Sequence, residues 1–538
     1  MPIRKVLPAI SLLLAACAIA PARATTAVVP DSFPTIQAGI DSWPDTVLVR
    51  SGHYDEDLVL VNGVTLAVLP AGAGPDTVET GGLSIREWIQ QDPWIPPNRE
   101  LIDVRGFHFD GRVRVEDDRR QWWQLGYSIA LVGCRADSGL TFNNESVTQG
   151  VSIDSCTILN GVSVRTWSHA TFTNNTILGS GVFIHVEGDY EIRGNHVYGP
   201  AEYGLRAYMD AGGDLDSNTV IGADVGVYVS GGGGWVHDNT ITGCSGSGIL
   251  AEGDPHFWYQ ITGNLVRECG GYGVAMEYGE ARSNTIVACQ AGGIAVPRGS
   301  GTLWRNVVGR CGGPGIEMTV DPGTHMDYGV YSNTCYLNVG PGFRITALDV
   351  GDIANNIAYA NQGAGLLWVA LGEETPNLAC NDWFGNTGGA TSGTLPGPTD
   401  LAVDPLFCGP NPDDVHLSAG SPLLDAQGCG QIGALGQGCL VPAGVASPSE
   451  SLARAFTASP NPSRGAVLFS WPGSVQPERV EVFDVTGSRR WSALITAGTS
   501  SLQWRIIDHE GRRLPAGVYY ARLLGKGVSV TARFVFVQ

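Results

Sequence analysis

Charge is scarce in this chain of 538 residues: Asp, Glu, Lys and Arg make up 16% of it, against 43% hydrophobic residues. A disordered chain needs the reverse balance, so disorder is excluded. Helix-building composition is missing too. A bundle or coiled coil is poor in Gly, whereas 74 residues here are Gly. Those glycines follow no Gly-X-Y period, which excludes collagen. Beyond residue 24 no run of 18 apolar residues occurs, so no transmembrane helix is expected. The twelve cysteines include no CxxC and no Cys/His set at zinc spacing, which speaks against a structural zinc site built on them. Basic residues are in deficit, 32 against 52 acidic, for a net charge of −20. The imbalance sits in residues 24–454, at −28, while the stretch from 455 onward carries +5. So acidic a surface repels nucleic acid and anionic lipid, and its first role is solubility.

What is present begins with residues 1–24. Arg4 and Lys5, the apolar run Val6–Ala20 and the Ala22-Arg23-Ala24 site have the form of a secretory signal, with a mature start at Thr25. Leu14-Ala15-Ala16-Cys17 offers the alternative of a lipoprotein processed at Cys17. Export permits disulfides, and eleven cysteines after the Ala24 cut leave at least one thiol without an intrachain partner.

A repeat organises the middle of the chain. An Asn followed two residues later by a mostly apolar residue recurs at Asn175, Asn195, Asn218, Asn239, Asn264, Asn284, Asn306, Asn333 and Asn356, at steps of 20, 23, 21, 25, 20, 22, 27 and 23 residues. Cys244, Cys269, Cys289 and Cys311 each lie five residues after a repeat Asn, and Asn338 and Asn361 take that place later. A Gly followed by an apolar i, i+2 pair keeps the same phase, as in Ile249/Ala251, Val274/Met276, Ile294/Val296 and Ile316/Met318. Each unit holds short β-type runs and no segment long enough for an amphipathic helix, so it must stack on its neighbours to bury an apolar face. Stacking one coil per repeat places equivalent residues about 4.8 Å apart in parallel sheets. An Asn at the turn tolerates the left-handed conformation and bonds up and down its ladder. The in-line cysteines read as small buried side chains.

This pattern resembles the right-handed parallel β-helix superfamily, the pectin-lyase-like proteins, over about residues 100–400. The resemblance implies a right-handed parallel β-helix (solenoid); the short strand-like runs Ala466–Ser470, Arg479–Asp484, Ser501–Arg505, Gly517–Leu524 and Ser529–Val537 add a small C-terminal β-sandwich, for an all-β fold. At the entrance, Ile36 and Ile40 share one face of a short helix, Asp45–Val49 reads as a strand, and Ser51-Gly52-His53-Tyr54-Asp55-Glu56 follows. That order resembles the entrance of pectin methylesterases, where a helix covers the open end of the solenoid. Residues 85–125, with Trp88, Trp94, Trp122 and Trp123, interrupt the phase and read as a packed side loop. Asp404-Pro405-Leu406-Phe407-Cys408 and His416–Pro422 resemble the closing segment of secreted bacterial β-helix proteins, and a disulfide including Cys408 is expected.

The expected organisation is a signal peptide at 1–24, the capped β-helix at 25–440, a linker rich in Pro, Ala, Ser and Gly at 441–455, and a sandwich at 456–538. In the last segment Ser459-Pro460-Asn461-Pro462, Val482–Gly487 and Pro515–Tyr520 resemble the sorting domain of type IX secretion cargo and the Ig-like domain of flagellar hook-capping proteins. The resemblance implies display or export through a secretion machinery, at the cell surface or outside the cell.

Chemistry is harder to place. The Asp-Phe-Ile-Phe-Gly-like stretch of pectin methylesterases is missing, and Arg344-Ile345-Thr346 is a partial echo of polygalacturonases without their Gly-His-Gly. One surface stands out. Residues alternating with the inward apolar pairs face outward: Phe183/His185, Arg206/Tyr208, Tyr228/Ser230, Leu250/Glu252, Ala275/Glu277, Ala295/Pro297 and Glu317/Thr319. Glu252 and Glu277 then stand on adjacent coils about 5 Å apart. Such a pair suits acid/base catalysis or a calcium ion, beside the plain reading of a solvated face. Asp210, Asp254, His256, Glu317 and Asp321 are placed on the following loops, with Asp210, Asp254 and Asp321 as calcium candidates. Tyr208, Tyr228 and Trp258 are placed to stack on sugar rings, with Arg206 and Glu317 as polar contacts. Three readings follow: non-catalytic binding of polysaccharide or another extended ligand, a polysaccharide lyase or glycoside hydrolase using Glu252 and Glu277, and an adhesin or structural stalk.

Overall fold

The computed structural model describes residues 25–440 and 456–537, save 61–62, 70–76, 87–100, 117–127, 144–149, 167–168, 187–188, 210–211, 254–257, 299, 321–328, 348–350, 374, 410–413, 473–476, 485–488, 497, 509–510 and 526–527. The signal region, Cys17, the linker and the four tryptophans of 85–125 thus lie outside the described residues. The chain divides into two compact units at Cys439/Leu440.

The first unit is a solenoid of three long parallel sheets. Sheet A has 16 described strands, sheet B 14 and sheet C 15, and each coil between the first and the last contributes one strand to each sheet in the order A, B, C. Successive coils pair in register, as in Val227↔Ile249, Ile249↔Val274, Val274↔Ile294 and Ile294↔Ile316 on sheet C. The side-chain period of two sends Ile249, Val274, Ile294 and Ile316 inward, where all are fully buried.

The A-to-B corner is held by the asparagine ladder. Asn264 is typical: its Oδ1 accepts from the backbone N–H and the Nδ2 of Asn239, at 3.0 Å each, and its own Nδ2 donates to Val236 O at 2.8 Å and to Asn284 Oδ1 at 3.0 Å. The same pattern runs from Asn175 to Asn381, with Cys156 below it donating its N–H to Asn175 Oδ1. At the far end Asp400 takes the place of Asn. Its Oδ1 accepts from Asn381 N and Nδ2, and its Oδ2 from Trp383 Nε1 and Gly397 N. Four donors surround it, which an acceptor-only carboxylate suits and an amide does not. The left-handed residue is the one before the ladder Asn, not the Asn itself: Asn174, Ser217, Asp238, Ser283, Arg305, Ser332 and Asn355 have φ between 53° and 58°. The ladder side chain must point inward, so the sharp turn falls one residue earlier. The cysteine ladder is buried and free of disulfides at Cys244, Cys269, Cys289 and Cys311. It continues as amides when Asn338 Oδ1 accepts the Cys311 N–H and Asn361 and Asn386 follow.

Both ends are closed. Helix α1 (Ile36–Asp41) buries Ile36 and Ile40 over the first coils, capped by the Thr35 side chain on Ala38 N. Glu56 accepts the N–H groups of Ile36 and Gln37, so the free donors of the first turn are satisfied. At the other end Leu417, Leu423 and Ile432 pack on Ile357. Disulfides Cys380–Cys429 and Cys408–Cys439 tie this closing segment, the second including the expected Cys408.

The second unit has a three-stranded and a four-stranded antiparallel sheet. Phe469, Trp504, Phe534 and Tyr519 form its aromatic core. Its strands Val467–Ser470, Pro477–Asp484, Ser501–Trp504, Gly517–Gly525 and Val528–Phe536 overlap the five runs expected from the sequence.

Candidate functional site

The outer face of sheet C carries two in-register columns, because every strand there alternates in and out. The first runs Phe183, Arg206, Tyr228, Leu250, Ala275, Ala295, Glu317 and Arg344. The second runs His185, Tyr208, Ser230 and Glu252. Glu277 continues it, its N–H bonded to the carbonyl of Ala251 on the coil before.

Arg206 is held by rings. Its guanidinium carbon lies 5.2 Å from the centre of Phe183, 5.0 Å from Tyr203 and 5.4 Å from Tyr228. Ring quadrupoles attract the cation without neutralising it. Tyr208 packs edge-on against His185 at 4.7 Å and stays exposed; Trp258, equally exposed, precedes the sheet A strand Tyr259–Thr262 and is not part of these columns.

Each carboxylate has its own local partner. The Tyr228 hydroxyl donates to Glu252 at 2.8 Å. Burial and this hydrogen bond together raise the Tyr228 phenol above its ordinary value, which keeps it a donor. Glu277 accepts from Arg298 Nε at 3.1 Å and from the Gly253 N–H at 3.3 Å. Glu317 accepts from the Tyr272 hydroxyl at 2.6 Å and pairs with Arg344 at 3.2 Å. Burial, then Glu317, pushes the Tyr272 phenol up to about 12.

The fold therefore brings Arg206, Tyr208, Tyr228, Glu252 and Glu277 onto one continuous strip. Glu317 is separated from Arg206 by five coils of the same column, about 24 Å at the parallel-strand spacing. Asp210, Asp254, His256 and Asp321 lie outside the described residues. Reading the sequence missed Tyr203, Tyr272 and Arg298. Arg298 follows Pro297, the register equivalent of Glu277 one coil on, so extending the column by one residue finds it.

Residues 160–308 match the family described as "Right handed beta helix region". No curated protein matches the chain in sequence. Among solved structures, a mutant of the periplasmic alginate epimerase AlgG is 10% identical, with 70% of this chain and 82% of that one covered at a TM-score of 0.29. The siphovirus 9NA tailspike receptor-binding domain is 11% identical, with 95% and 98% covered at 0.25. PorZ, a surface component of the type IX secretion system of Porphyromonas gingivalis, is 23% identical over 17% of this chain and 13% of that one, at 0.15. This chain thus spans only a small part of the length of PorZ. Residues 160–308 carry the family match and three parallel sheets extend the same coils on both sides of it, so the fold is a right-handed parallel β-helix.

Proposed function

We propose that the protein works outside the cell or at its surface, binding an extended polysaccharide along the outer face of sheet C without cleaving it. The observation that carries this reading is the strip itself: Arg206 framed by three rings, on the same face as exposed Tyr208. Aromatic faces stack on the C–H faces of sugar rings, and a guanidinium that stays charged recognises a uronate carboxylate. A regular solenoid repeats its outer positions every coil, which suits a ligand that repeats too. Calcium, held by Asp210, Asp254 or Asp321, would bridge an acidic chain to the acidic part of the face. The C-terminal unit, in this reading, engages a secretion machinery. Among the described residues no helix is long and apolar enough to cross a membrane.

Two features favour binding over catalysis. Glu252, Glu277 and Glu317 are each engaged by a neighbour, and Arg206 is framed by rings. The competing reading is a lyase or hydrolase that uses Glu252 and Glu277, and it draws on their adjacent coils. The test is a screen of the purified chain against acidic and neutral polysaccharides, with and without calcium. It scores binding, new reducing ends and unsaturated products. Binding without product, weakened in Tyr208→Ala and Arg206→Ala, supports the proposal. Products that vanish in Glu252→Gln and Glu277→Gln replace it with the enzyme, and neither binding nor product replaces it with an adhesin or stalk.

A further inference from the structure

On the outer face of sheet B, near the start of the solenoid, one imidazole nitrogen faces two carboxylates. In Phe107–Phe109 the two phenylalanines are buried and His108 points out. His108 Nε2 lies 3.0 Å from Asp137 Oδ2 and 3.3 Å from Asp110 Oδ1. The register explains the convergence. Arg135 and Ala136 pair with His108 and Phe109, and the Asp137 N–H bonds Phe109 O, so Asp137 stands over Asp110. A single N–H satisfies one of these oxygens well and leaves the other facing like charge. A bound cation satisfies both.

We infer that His108, Asp110 and Asp137 form a binding site for one divalent ion of the zinc class. The spacings fit. Two ligand atoms about 2.0–2.1 Å from a zinc lie about 3.3 Å apart in a tetrahedron and about 2.9 Å apart at right angles. The three ligand atoms all lie within 4.8 Å of one another. An outer shell is in place as well. Arg135 Nε holds the other oxygen of Asp137 at 2.7 Å, and Glu79 Oε1 stands 3.8 Å from His108 Nδ1, one coil below. At 3.8 Å Glu79 makes no hydrogen bond to the imidazole but adds a third carboxylate beside it. His53 lies one coil further down, 3.5 Å from the other oxygen of Glu79. Imidazole selects zinc, copper or nickel over calcium, which takes six to eight oxygens. Asp110 and Asp137 sit on successive coils, so the ion rivets those coils together.

The full chain, freed of metal with a chelator, is titrated with ZnCl₂ in equilibrium dialysis. One equivalent is expected to bind, and zinc is expected to raise the unfolding midpoint. His108→Gln and Asp137→Asn are expected to weaken binding at least tenfold. His237→Gln, in the separate cluster with Asp216 and Asp238 on sheet A, serves as the control and leaves binding unchanged. Nitrogen NMR of the unsubstituted chain needs no variant to fold: zinc shifts the His108 Nε2 resonance and not that of His237. Absence of binding, equal affinity in wild type and His108→Gln, or a shift confined to His237 would each overturn the assignment.

Discussion

Replacing Asn264 by Leu isolates what the amide ladder contributes. The shape is nearly kept and the hydrogen bonds are not. Asn264 is fully buried, and its Oδ1 is the acceptor for both the N–H and the Nδ2 of Asn239. Its Nδ2 supplies Val236 O and Asn284 Oδ1. The substitution orphans two buried donors at about 1–3 kcal/mol each, so roughly 2–6 kcal/mol is lost before the two under-satisfied oxygens are counted. Against a typical domain stability of about 5–15 kcal/mol this is large. The strain is local, because each coil touches only its neighbours. Hydrogen exchange followed by mass spectrometry should therefore show faster exchange in the coils carrying Asn239 and Asn284, with the closing segment unchanged. A urea titration should show the lowered midpoint. Asn264→Asp should be worse, since it sets a buried negative charge against Val236 O and Asn284 Oδ1. A loss below about 1 kcal/mol for Asn264→Leu would refute the view that the ladder is a satisfied buried network.

Three other outcomes are expected. Converting both Cys380 and Cys429 to Ala opens a link of sequence separation 49 and should cost about 4 kcal/mol by the chain-entropy relation, read from denaturant midpoints with and without reductant. Asp382 is fully buried with one oxygen unpartnered, and burial pushes its carboxyl up to about 7. The folded state then holds a proton that the unfolded state has released, so this group lowers stability as pH rises from about 4 to about 7. Asp382→Asn should flatten that slope, and an unchanged slope in urea midpoints across this window would exclude the effect. On sheet C, Tyr208→Ala should weaken the binding of any polysaccharide the chain retains by about five- to tenfold in affinity electrophoresis, the worth of one aromatic face, while leaving the melting temperature unmoved.

The sequence by itself determined the solenoid. Asn, Cys and Gly-apolar signals shared one phase because stacking forces each coil to repeat its inward positions, and that constraint is written in one dimension. The ladder membership of Asn338 and Asn361 was legible for the same reason, and the entrance helix and five of the C-terminal strands from their own local patterns. Register also made the outward columns legible, so Arg206 with Tyr228 and Tyr208 with Glu252 could be aligned from spacing alone. The partners of those residues were left to the tertiary structure. Arg206 turns to the rings of Phe183, Tyr203 and Tyr228, Glu277 meets Arg298, and Glu317 meets Tyr272 from two coils below. Side-chain reach and rotamer, not spacing, decide those contacts. The left-handed residue fell one place before the asparagine because the ladder amide must face inward while the backbone turns. His108 escaped notice on its own, since neither it nor Asp137 belongs to a repeated signal. Only the stacking of two coils that differ in sequence set two carboxylates on one imidazole nitrogen.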